Sequence, residues 1–237
     1  MDAWFSYRLS DFILFSERVY WRLFDQVNTL AGALLPVLIA LGCLMLVGVW
    51  SRHRTVQTAT AFLLAALWIS SAFLFLWHYY APVNWAARYA VPFFLLEASL
   101  IALMSLTRQL TRPLMRNDPR LWLGFSLLAY ALAIHPLTSL LFGRTFDSAE
   151  IVGLSPDATA IATLGILLIT ARPLALWLLL PIPLAVCMLS ALTLYSLGTP
   201  EAWILVIVLL VILVALLTPK LNLHDGNDAV IANARDW

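Results

Sequence analysis

The chain has 237 residues and a formal net charge of +1, with 62 % hydrophobic and only 11 % charged residues. A soluble domain is roughly 45–50 % apolar and about 25 % charged, and a globule of this size has no interior for such an excess, so the composition defines an integral membrane protein. It excludes a disordered chain and a secreted disulfide scaffold, and the lack of a basic stripe excludes nucleic acid as a partner.

In chain order, residues 1–27 form the first segment. Trp4, Phe5, Tyr7, Phe12, Phe15, Tyr20, Trp21 and Phe24 alternate with Asp2, Arg8, Asp11, Glu17, Arg18, Arg22 and Asp25. This is too polar for a span and lacks the basic start and apolar centre of a cleavable signal. It reads as an interfacial amphipathic segment of one or two short helices, with Ser10 and Ser16 as N-caps. A single transmembrane domain, 28–218, then holds seven apolar runs: 29–50, 57–79, 86–106, 121–142, 157–171, 174–197 and 202–218. A spanning helix needs roughly 17–25 residues, so the fifth run spans only if Ile151 to Leu154 join it or the bilayer thins; the other reading is a re-entrant segment. Residues 219–237 form a polar tail. The expected fold is an all-α, polytopic transmembrane bundle of about seven spans.

Loop charge sets the orientation. The loops after runs one, three and five, with the tail, carry Arg52, Arg54, Arg108, Arg112, Arg116, Arg120, Arg172, Lys220 and Arg235; the other side carries Arg8, Arg18, Arg22, Arg88 and Arg144. The arginine-rich side is cytoplasmic, which places the N-terminus outside and the C-terminus inside.

Within that frame a few residues carry chemistry. Glu97 lies near the middle of the third run and is the one carboxylate in the interior of any run, Asp157 standing at the start of the fifth. A charge at that depth normally faces a partner or a cavity; it reads as a proton, cation or substrate site, or as a protonated acid bridging helices. His135, before Pro136, lies on the outer approach to that site. Pro181 and Pro183 interrupt the sixth run near its middle, either as a discontinuous helix offering backbone ligands or as a repaired kink. The outer entrances Pro82-Val83-Asn84, Ser155-Pro156-Asp157-Ala158 and Thr199-Pro200-Glu201-Ala202 read as helix starts, with caps, first-turn proline and acids on the dipole. A second reading makes Asn84, Asp157 and Glu201, with His78 at the end of run two, an outer polar vestibule. His78 and His135 would serve haem or metal only if they met on facing helices. Asp147 and Glu150, two carboxylates three apart, read as a solvated loop face, with weak cation binding as the other reading. Cys43 and Cys187 sit inside apolar runs and behave as small hydrophobes. No HExxH, GxSxG, Walker loop or CxxC is present, so no catalytic residue, metal ligand or cofactor is assigned.

Several stretches together carry a resemblance: Ser10 to Ser16 with Tyr20 to Phe24, Tyr80 to Trp85, Gly153 to Gly165, Leu180 to Leu184 and Gly198 to Trp203. In these the chain resembles a family of small multi-spanning bacterial inner-membrane proteins of unknown function, some labelled permease-like. The resemblance implies a polytopic helical fold in the bacterial inner (cytoplasmic) membrane and brings no site residues with it. The leading expectation is a small permease-like protein for a small solute or ion, using Glu97, His135 and the break at Pro181 and Pro183. The alternative is a non-catalytic subunit or assembly factor of a larger membrane complex. Expected partners are the lipid bilayer and either further copies of the chain or the proteins of a membrane complex.

Overall fold

A computed structural model describes residues 15–51, 53–111 and 118–217. The aromatic residues of 1–14, Arg112 and Arg116 of the basic loop, and the tail 219–237 lie outside the described residues.

Among the described residues, ten helices make seven passes. They are α1 (Glu17–Ala31), α2 (Leu35–Trp50), α3 (Arg54–Ser70), α4 (Ala87–Leu106), α5 (Pro119–Ala129), α6 (Thr138–Leu141), α7 (Pro156–Thr170), α8 (Pro173–Leu179), α9 (Pro181–Ser196) and α10 (Ala202–Leu217). A 3-10 turn at Gly32 joins α1 to α2, and π-helical stretches extend α3 to Tyr80 and α5 to Ile134. Five passes are long and apolar enough to cross a membrane: Glu17–Trp50, Arg54–Tyr80, Ala87–Leu106, Pro119–Leu141 and Pro173–Ser196. The other two, α7 and α10, have 15 and 16 residues.

Helices dominate because lipid offers no partner for backbone N–H and C=O groups, which must bond within their own segment. The surface is correspondingly apolar: Leu30, Val47, Trp77, Phe93, Leu141, Trp177 and Leu217 all point outward.

The passes alternate between two ends. The upper end gathers 81–86, 142–155 and 197–201, tied by the Arg144–Glu201 ion pair at 3.2 Å. The lower end gathers 51, 53, 107–111, 118 and 171–172; there the Arg172 N–H donates to the Gln109 carbonyl at 2.8 Å, and Arg120 donates to the Leu216 carbonyl at 3.3 Å.

Helix α1 differs from a segment lying freely in the interface. Its apolar stripe, Tyr20, Trp21, Leu23, Phe24, Val27 and Ala31, is turned onto the bundle. Phe24 packs on Phe75, and Tyr20 meets Tyr80 and Phe15. The Asn28 amide donates to the carbonyls of Asp147 and Ala149 at 2.6 and 2.8 Å, locking the helix to the upper loop. Ser16 begins the helix without a side-chain cap bond. Gly32, at φ 33°, makes the bend into α2.

The fifth run forms a continuous helix rather than a re-entrant one. Every residue of α7 is buried. At 1.5 Å per residue it covers only about 22 Å, short of the roughly 30 Å hydrocarbon core. Its neighbours shield it from lipid, so it need not match that thickness. The non-helical stretch 151–155 completes the pass and is also buried in protein, the setting in which irregular backbone is tolerated at depth. Helices α5 and α7 approach closely at Gly124 and Gly165: a Cβ on Gly165 would stand 2.7 Å from the Gly124 carbonyl oxygen.

In the sixth pass, of the two readings of Pro181 and Pro183, the kink is the one that forms. The pass bends but does not unwind. Leu180 keeps helical dihedrals (φ −70°, ψ −38°), and i→i−4 bonds run through it, Leu180 N–H to Leu176 and Leu184 N–H to Leu180. The proline φ near −65° fits a helix, so Pro181 and Pro183 remove only their own two donors.

Candidate functional site

The upper end holds a buried polar cluster assembled from four places in the sequence. The bent fourth pass supplies Tyr130 and His135. The loop that follows supplies Arg144 and Glu150. Asp157 sits in the first turn of α7, beside Ser190 of α9. Glu201 comes from the turn before α10. Glu150, Asp157, His135 and Glu201 are 2 %, 1 %, 3 % and 5 % exposed.

Local structure explains how each side chain arrives. Between Tyr130 and Ile134 the helix widens to π geometry, with i→i+5 bonding. That register brings residues five apart onto one face, and the Tyr130 hydroxyl meets His135 Nδ1 at 3.2 Å. The His135 carbonyl in turn accepts from the Thr138 hydroxyl at 2.6 Å. Ser155 caps α7 through the Ala158 N–H. The Ser190 hydroxyl donates to Asp157 Oδ1. Gly153, at φ 90°, turns the chain so that its N–H reaches the Thr159 hydroxyl at 2.8 Å; a Cβ there would run into Leu67.

Three carboxyl groups face one arginine. The Arg144 guanidinium pairs with Glu201 at 3.2 Å and lies 3.3 Å over the Trp21 ring. Glu150 Oε2 is 3.8 Å from His135 Nε2. The Glu150 carboxyl is also within hydrogen-bonding reach of Asp157. Burial pushes Glu150 up from 4.5 to about 7, against the opposing pull of Arg144 and a hydrogen bond with Asp157, with Glu201 adding a small rise. Glu150 Oε1, Asp157 Oδ2, Glu201 Oε2 and His135 Nε2 are buried without a hydrogen-bond partner. In a native protein such atoms point to strain, a catalytic or binding role, or a missing small ligand.

The expected site residues divide. His135, Asp157 and Glu201 come together, although the first belonged to one proposed site and the other two to another. The acids do more than complement helix dipoles: Asp157 bonds Ser190 and Glu201 bonds Arg144. Asn84 and His78 stand outside the cluster. The Asn84 amide reaches the Tyr80 hydroxyl at 3.4 Å, while His78 is exposed and meets Tyr79 edge-on. Among the described residues no group of three or more His, Cys, Asp or Glu is placed to hold a metal ion.

Glu97 is fully buried in α4, and neither carboxyl oxygen has a hydrogen-bond partner. It shares the buried face of α4 with Phe94, Ala98 and Ile101. One turn below it, Ile101 joins Gln57, Thr60 and Thr170 around a hollow of about 10 Å³, on the order of the space one water needs. Helix α4 packs against both α8 and α9, so the bend at Pro181 lies on the helix pair beside the one carrying Glu97. Pro183 is buried there and Pro181 exposed.

Glu150 and Arg144 were not expected in a site. Glu150 is not part of a solvated face; only its neighbour Asp147 is exposed. One signal was present: Ala149, Ile151 and Val152 flank Glu150 with apolar residues, unlike a solvated loop. Arg144 carried no local signal.

The chain belongs to a family of unknown function, DUF6064, whose sequence model matches residues 17–224. The match covers all seven passes. No curated protein and no solved structure matches the chain.

Proposed function

We propose that the protein is a small permease-like carrier of the bacterial inner membrane, moving a small solute or ion, with the upper end facing outward. One observation carries the reading: three carboxyl groups and a histidine are buried with a single arginine at the upper end. Buried ionisable groups in a membrane bundle are costly and normally serve a pathway or a bound species. A structural role would be met by a fully paired network, whereas this one leaves acceptors and an imidazole nitrogen unpartnered. The excess of acid over base favours a cationic or protonated cargo. Glu97 would be a second station deeper in the bundle, with the Gln57–Thr170 hollow as its approach from the lower end. Orientation follows the arginines, with Arg54, Arg108, Arg120 and Arg172 at the lower end.

A second reading is favoured by a separate feature. An apolar recess of about 600 Å³, lined by Leu46, Val47, Trp50, Ser51, Trp122 and Phe125, opens between α2 and α5 near the lower end. It would suit a subunit or assembly role.

Proteoliposomes on a solid-supported membrane separate the two. Concentration jumps of protons, sodium ions and methylammonium should displace charge for at least one of them, and Asp157→Asn should abolish the signal. Currents equal to those of protein-free vesicles for all three cations would overturn the carrier reading in favour of the subunit.

A further inference from the structure

We infer that the Glu150 and Asp157 carboxyl groups form a proton-binding site, holding one shared, exchangeable proton opposite the His135 imidazole. That the proton is then the ion to which the carrier responds rests on the transport reading above; the proton site itself does not.

An ionised carboxylate only accepts hydrogen bonds. Two of them buried in one cluster and acting on each other's charge, as Glu150 and Asp157 do, repel unless one carries a proton. The missing donor is visible as one unpartnered oxygen on each, Oε1 of Glu150 and Oδ2 of Asp157.

The second observation is independent of the acids. His135 is 3 % exposed, and its Nε2 has no hydrogen-bond partner, yet it points at Glu150 Oε2 across 3.8 Å. Its other nitrogen is held by the Tyr130 hydroxyl. An imidazole fixed on one side and aimed at a carboxyl pair on the other is placed to exchange a proton with it.

The surroundings keep the site from being neutralised in other ways. Tyr20 of α1 and Tyr80 after α3 face it with their phenols. Tyr130 and His135 face it from the fourth pass, Cys187 and Ser190 from α9, Arg144 from the loop and Glu201 from the turn before α10. Arg144 is the one cation among these groups, and it is engaged by Glu201 at 3.2 Å. With Glu201 matched to Arg144, the Glu150–Asp157 pair is left to a proton.

Infrared titration of the full-length protein in lipid tests this. The carbonyl stretch of a protonated carboxylic acid is followed from about pH 5 to pH 9 in a Glu97→Gln background, which removes the other buried intramembrane acid. The expected result is an acid band that disappears with a midpoint near the value of about 7 set for Glu150 by its burial. Glu150→Gln removes the band or moves it. Asp157→Asn shifts the midpoint by at least about one unit, because the carboxyl that shares the proton with Glu150 is lost. A carboxyl band absent across this range, or one indifferent to both substitutions, would overturn the proposal. If a cluster variant does not fold, the midpoint of the background protein still decides. The titration uses neither gradient nor cargo. A titrating pair in a protein that displaces no charge would uphold the proton site and sink the transport reading; the reverse result would do the opposite.

Discussion

Replacing Arg144 with alanine is expected to lower the stability of the protein by roughly 3–5 kcal/mol, the range for breaking a buried ion pair by removing one partner. Two losses combine. The guanidinium leaves the Trp21 ring that it covers at 3.3 Å, so α1 loses a contact with the upper loop. Glu201, 6 % exposed in its side chain, is left as a buried carboxylate without its cation. Thermal unfolding in detergent measures the effect. The second loss is reversible by design: adding Glu201→Gln should recover about half of the deficit or more, because it removes the stranded charge. If the double variant is as unstable as the sum of the singles, the pair is not coupled as described.

Gly165→Ala should also destabilise, against ordinary helix preference. In a helix interior alanine is favoured over glycine by about 1 kcal/mol. Here the new Cβ would meet backbone on the facing helix, 2.7 Å from the Gly124 oxygen and 2.8 Å from the Leu128 nitrogen. Backbone cannot swing aside like a side-chain tip. Helices α5 and α7 must separate, and overpacking of this kind costs about 1–3 kcal/mol. A net loss of about that size is expected, with a larger one for Gly165→Leu; a gain in melting temperature would show that α7 is not held where it is described.

Much of the fold was legible because hydropathy is local and lipid enforces helix. The second pass, expected at 57–79, is Arg54–Tyr80; the third, expected at 86–106, is Ala87–Leu106; the seventh, expected at 202–218, is Ala202–Leu217. The first differed because α1 continues into α2 through Gly32, and charges on its exposed face hid an aromatic face that packs on protein. The fifth was ambiguous because length against bilayer thickness is the wrong test for a helix that touches no lipid. The sixth was left between a break and a kink, and the kink is what forms: proline geometry is helical and only two donors are lost.

The site was less legible. Asp157 and Glu201 stood out through the repeated Ser/Thr-Pro-acid-Ala pattern, and His135 through its depth. Nothing in the sequence said that they meet. Convergence depends on how four passes and a loop pack, and the loop supplied the two members, Arg144 and Glu150, that loop chemistry alone marks as solvated. The Tyr130–His135 pair needs a π-helical register that no periodicity announces.

The most direct test of the carrier reading is whether water reaches the cluster. In a Cys43→Ala, Cys187→Ala background, Ser190→Cys places a thiol where the Ser190 hydroxyl now bonds Asp157. Its reaction with a membrane-impermeant maleimide, applied from outside to intact cells, is compared with that of Thr145→Cys on the exposed part of the loop. Burial raises Glu150 above its unfolded value, so the stability it lends the folded cluster is fully present below about pH 4.5 and is lost as pH rises through about 7. The account predicts slow but measurable labelling at Ser190→Cys, rising several-fold relative to Thr145→Cys between about pH 6 and pH 8. A thiol at 190 that stays unreactive from either side at both pH values, while 145 reacts, would contradict it.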